Sequence, residues 1–148
     1  MGFSLVETSL AIGIFACCFL PLIGLVTTGM RVGQDACTHE KANQITASVA
    51  AEIEGVSSVP GTTESLFGLS LSNQGTQTRK LDASGLTNYS SSDPSYSLAV
   101  VITTNALTRN NCARICVAWP STAIWNSNLN SWSNALGKVE NTILYNSP

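Results

Sequence analysis

Few residues in this chain are equipped for chemistry. There is one histidine, His39, and there are five cysteines, Cys17, Cys18, Cys37, Cys112 and Cys116, with nine acids scattered along 148 residues. Enzyme catalysis needs a nucleophile, a base and a polarising group within reach of one another. The sequence holds no nucleophile elbow, no phosphate-binding glycine loop and no cluster at metal-ligand spacing. It therefore points away from an enzyme and implies no metal. His39 and Cys37 stand two apart, and residues two apart on a helix do not face each other. His39 is expected on a helix surface or spine, and Cys37 as a packed thiol. Cys112 and Cys116, if they share one straight strand, lie about 13 Å apart at about 3.3 Å per residue, beyond disulfide reach.

The acid in the oddest place is Glu7. It borders an uncharged run, Thr8 to Met30, of 23 residues. As helix this run spans about 34 Å, enough to cross a bilayer core. A secretory signal has a basic start and a small-residue cleavage site after its apolar core. Here no Lys or Arg precedes the run, no A-x-A site follows, and an amphipathic pattern continues beyond Met30, so the segment is expected to be retained. A lone carboxylate buried beside such a helix is costly unless it takes up a proton or meets a cation. Two local roles are open to it as well: the helix dipole favours an acid at the N-terminus by about 0.3–1 kcal/mol, and Ser4 with Glu7 has the spacing of a capping box.

The stretch Gly2-Phe3-Ser4-Leu5-Val6-Glu7, followed by Thr8 and the apolar run, resembles the class III signal of type IV prepilins and pseudopilins. The resemblance covers the first thirty residues or so and does not reach the rest. It implies cleavage after Gly2 by an integral-membrane prepilin peptidase, methylation of Phe3 as the new N-terminus, and retention of Glu7 in the helix. It further implies a single-pass inner-membrane protein with an extracytoplasmic head, which then enters a periplasmic pseudopilus or a cell-surface filament. The implied partners are other pilin or pseudopilin subunits, the peptidase and an inner-membrane assembly platform, with no cofactor. In such a filament the α-amino group on Phe3 of a neighbouring subunit is the cation that Glu7 needs, and their pairing fixes the register of the incoming subunit. One departure stands out: family leaders carry Lys or Arg before the glycine, in keeping with the positive-inside rule. This chain has only Met1-Gly2, which implies a very short leader or a start upstream.

Pro21 and Gly24 fall inside the same run. Proline removes a backbone hydrogen bond and crowds the preceding turn, a defect that membrane helices accommodate as a kink. In related filaments this region often unwinds, so the residues between Pro21 and Gly24 either kink the helix or extend on assembly.

Beyond Arg31 a helical period continues through Val32, Ala36, Ala42, Ile45, Val49 and Ile53, with Asp35, Lys41, Glu52 and Glu54 opposite. This pattern predicts an amphipathic helix packed on a domain, with Gly55 as its C-cap and Pro60-Gly61 beyond. The expected organisation is a leader over 1–2, a membrane and assembly helix over 3–30, a spine helix over 31–56 and a head over 57–148. Residues 57–95 are rich in Ser, Thr, Gly and Asn and are read as a linker in which strands are not forced. Tyr96 to Thr104 is the clearest strand, being dense in β-branched residues. A hairpin connection follows over 105–111, then a strand Ala113 to Trp119 with Ile115, Val117 and Trp119 on one face, stopped by Pro120. Thr142 to Tyr145 adds a last strand. The fold class is α+β, a long N-terminal helix on a small antiparallel sheet.

Trp119-Pro120 after a β-branched strand resembles the second strand of V-type minor pilins and I-type pseudopilins, and also small prepilin-like proteins of verrucomicrobial gene cassettes. Cys116 is the last cysteine, so the C-terminal cysteine pair of many major pilins is absent, which tilts the resemblance toward a minor or pseudopilin-like subunit. Trp125 and Trp132 stand in an Asn/Ser-rich stretch and either cover the sheet or form a partner surface. A net charge of -2 without a basic patch argues against nucleic acid. Beside the filament subunit stands a second reading, a monomeric membrane-anchored binding domain whose recognition surface is the loop tryptophans.

Overall fold

The computed structural model of the chain describes residues 4–57, 67–71, 74–82, 84–85, 95–104 and 110–146. Gly2 and Phe3 lie outside them. The chain divides into two compact units, Met1–Thr38 and His39–Pro148.

One helix, α1 (Leu5–Ser57), opens the chain. Ser4 caps it: the Val6 N–H donates to Ser4 Oγ at 3.4 Å, and the Glu7 and Thr8 N–H groups reach the Ser4 carbonyl. The reciprocal bond of a capping box, from the Ser4 N–H to the Glu7 carboxylate, is not formed. The helix runs through Gly55 to Ser57 instead of ending at a glycine cap. A Cβ at Gly55 would meet nothing, so no steric feature demands glycine there, and Val56 gains by packing against the core. The buried face is also shorter than the period suggested. Ala42, Ile45, Thr46, Val49, Ala50 and Ile53 are buried, whereas Val32 and Ala36 are exposed.

In the second unit, β1 (Gly75–Leu81), β2 (Tyr96–Thr104), β3 (Asn110–Trp119) and β6 (Gly137–Asn146) form an antiparallel sheet in the order β1-β2-β3-β6. Between β3 and β6 a small hairpin pairs β4 (Ile124–Asn126) with β5 (Ser131–Ser133). One face of the sheet presents Leu98, Val100, Ile102, Ala113, Ile115 and Val117, which build one core with Val49 and Ile53 of α1. Strand β2 is where the β-branched run placed it, and β3 ends at Trp119, before a cis Trp119-Pro120 bond.

Three boundaries differ from the sequence reading. Strand β1 lies in the stretch read as linker: GTQTRKL has one buried apolar residue, Leu81, and is a strand because β2 supplies its partner along the whole register from Gly75↔Ile102 to Leu81↔Tyr96. It also holds the segment before it. The Gln77 amide pairs with both backbone groups of Ser70, at 2.9 and 2.6 Å, and Arg79 donates to the Gly68 carbonyl at 2.7 Å. Strand β3 begins at Asn110, ahead of the expected Ala113, where Thr104 Oγ1 donates to Asn111 Oδ1 at 2.7 Å and ties the two strands. Strand β6 begins at Gly137, ahead of the expected Thr142, because β3 supplies its partner as far as Trp119, whose ring lies where a side chain at 137 would stand.

Candidate functional site

Two places carry the sequence-derived candidates, one in each unit. In the first, Glu7 sits in the opening turn of α1, exposed, and its carboxylate takes no hydrogen bond or ion pair among the described residues. Pro21 and Gly24 both lie within α1. Thr27 and Thr28 each donate a hydroxyl to the Gly24 carbonyl at 2.9 Å, a form of back-bonding that often bends helices. The apolar side chains are uncovered: Leu5 is 84 % exposed, Ile12 69 %, Leu20 69 % and Leu25 68 %. An 18-residue window here has mean hydropathy 2.4 with none of it buried, so α1 is a candidate membrane span. Ser9, Gly13 and Cys17 recur every four residues along one shallow groove with Val6, Leu10 and Ile14. Small residues at that spacing let membrane helices approach closely.

In the second unit the structure brings Trp125 and Trp132 together. They are direct partners across the β4–β5 hairpin, with ring centroids 5.2 Å apart and planes at 76°, an edge-to-face geometry that aromatic pairs favour. Local polar chemistry shapes the hairpin. Asn126 Oδ1 accepts from the Asn128 and Leu129 N–H groups, closing an Asx turn. Asn130 and Asn134 adopt positive φ of 47° and 59°, a region that asparagine tolerates better than most residues. Ser133 Oγ donates to the Ile124 carbonyl. Both indole N–H groups are buried and have no acceptor among the described residues, at a cost of about 1–3 kcal/mol for each unsatisfied donor.

The sheet face opposite the core explains where these rings go. Across the four strands one row reads Lys80, Ser97, Ala118, Lys138 and the next Thr78, Ala99, Cys116, Glu140. The central residues Ser97, Ala99, Cys116 and Ala118 are small and all buried, which leaves room above them for bulky side chains. Ser97 Oγ donates to the Ser121 carbonyl at 3.0 Å and holds the start of the loop on this face. A cleft of about 480 Å³ then opens between Trp125, Trp132 and Ile124 on the hairpin side and Thr78, Lys80 and Ser97 on the sheet side. Thr78 and Lys80 belong to β1, in a stretch whose composition alone indicates a linker. Only their alternation in GTQTRKL hinted that they share a face.

At the other flank, Arg114 and Lys138 both pair with Glu140, at 2.8 and 3.0 Å. The Arg114 bond holds the Glu140 carboxyl below its ordinary value. Burial, assisted by the neighbouring Glu140 charge, pushes the Cys116 thiol up to about 11, so it stays protonated at neutral pH and is a poor nucleophile. All five cysteines are free, and Cys112 and Cys116 lie along one strand. His39 is exposed and meets the Trp119 ring edge-on, with centroids 4.9 Å apart.

Comparison of the chain with protein-family models, with curated proteins and with solved structures finds no match.

Proposed function

We propose that this chain is a structural subunit, a minor pilin or pseudopilin, of a type IV pilus-like filament or of a secretion or uptake pseudopilus. It is cut after Gly2, methylated on Phe3, and assembled through its N-terminal helix. The observation that carries the reading is the uncovered apolar half of α1 with a carboxylate in its first turn that has no partner among the described residues. Apolar surface on that scale is stable only in lipid or against other subunits. In a bilayer or bundle Glu7 then needs a cation, and the Phe3 amine of a neighbour supplies it. The small-residue groove at Ser9, Gly13 and Cys17 suits close packing of such helices, and the α+β head suits a subunit that presents one folded domain outside the membrane.

The test is mass spectrometry of the mature protein together with a Glu7→Ala variant. The expected N-terminus is methylated Phe3. The expected variant is cleaved and inserted in the membrane but absent from filaments. A mature chain still starting at Met1, or normal incorporation of Glu7→Ala, overturns the reading. The tryptophan cleft favours the second reading, a membrane-anchored binding domain, and an intact Met1 is its expected result.

A further inference from the structure

The cleft beside Trp125 and Trp132 has no part in assembly through α1, and its lining is specific enough to name a ligand class. Its volume, about 480 Å³, lies within the ~300–1,000 Å³ range of small-ligand sites. Among the described residues no carboxylate lines it. Of its two cations, Arg79 is engaged with the Gly68 and Thr78 carbonyls, whereas Lys80 makes no ion pair or hydrogen bond among the described residues. Indole surface, the Thr78 and Thr122 hydroxyls and one unpaired ammonium therefore share a single concavity.

The complement of that set is a ring that is apolar on its face, hydroxylated at its rim and acidic at one position. We propose that the cleft binds an acidic saccharide, one uronic-acid-type unit of a polysaccharide, with a pyranose face against an indole and its carboxylate at Lys80 Nζ. A neutral apolar ligand would desolvate Lys80 without giving it a counter-ion. A di- or triphosphate would call for several free donors of positive charge, whereas among the described lining residues Lys80 alone has its whole charged group free.

The experiment follows tryptophan fluorescence of the full chain in detergent micelles during titration with tetragalacturonate and, separately, with neutral cellotetraose. Trp119 belongs to the opposite face of the sheet, with the core, and supplies a constant background. A saturable change with tetragalacturonate is expected, weakened about ten-fold or more by Trp132→Ala. Lys80→Gln, at an exposed side chain whose loss leaves the hairpin packed, should bring the affinities for the two sugars together. The absence of a saturable change with tetragalacturonate overturns the proposal, and so does a change that persists unaltered in both variants. Equal affinity of the native chain for the two sugars overturns the assignment of the acidic group.

Discussion

The two units of this chain use apolar residues in opposite ways. In Met1–Thr38 they lie uncovered along one helix, Leu5 at 84 % exposure, whereas in His39–Pro148 Ile53, Leu98 and Ile115 are fully buried in a shared core. Hydrophobicity alone does not separate the units, since each carries Leu, Ile and Val in quantity. What separates them is whether the chain supplies its own cover. The head closes a sheet over the face of α1 that carries Val49 and Ile53. In the first unit the apolar side chains of α1 are uncovered among the described residues.

The sharpest way to break this contrast is to delete the same methylenes in both units. Ile115→Ala should destabilise the head by about 2–5 kcal/mol, read by thermal melting in micelles. Ile12→Ala should leave that melting curve unmoved, because Ile12 contributes nothing to the core. Equal shifts would mean that the units are not energetically distinct. A smaller effect is expected where a glycine admits a ring: Gly137→Ala drives a Cβ into Trp119 and should cost about 1–3 kcal/mol, with Ala in place of exposed Gly33 costing nothing. Smallest is the ion pair on the outer face. The Glu140 carboxyl titrates below its ordinary value of 4.5, so its contribution is present above that value and is lost as pH falls through the lower folded one. The partners are partly exposed, which limits the contribution to about 1 kcal/mol. Glu140→Gln should lower stability at neutral pH by up to that amount, leave it nearly unchanged once pH is below the folded value, and so flatten the acid limb of melting temperature against pH.

Legibility in the sequence followed how far each element depends on its own residues. The helix could be read because an uncharged run and then a 3.6-residue period are local signals, and β2 because YSLAVVITT is β-branched along its length. Strand β1 could not, since its polar residues adopt an extended form through pairing with β2. The early start of β6 could not either, because Gly137 to Asn141 are strand through their pairing with β3. The candidate site shows the same division. Trp125 and Trp132 stood out as aromatics in a polar stretch, but their contact with each other depends on a hairpin set by asparagine turns. Their neighbours Thr78 and Lys80 arrive from a strand about fifty residues earlier, and the small residues Ala99, Cys116 and Ala118 that make room above the sheet carry no signal by themselves.

The part of α1 inside the second unit has a mechanical consequence. Ala42, Ile45, Val49 and Ile53 enter the head core from one uninterrupted stretch of helix. Force applied along that stretch from its His39 end loads those four contacts together, in shear along the helix axis, instead of peeling them one after another. The head should resist such a pull far better than a pull on its last strand, where β6, at the edge of the sheet, can be stripped from β3 one residue at a time.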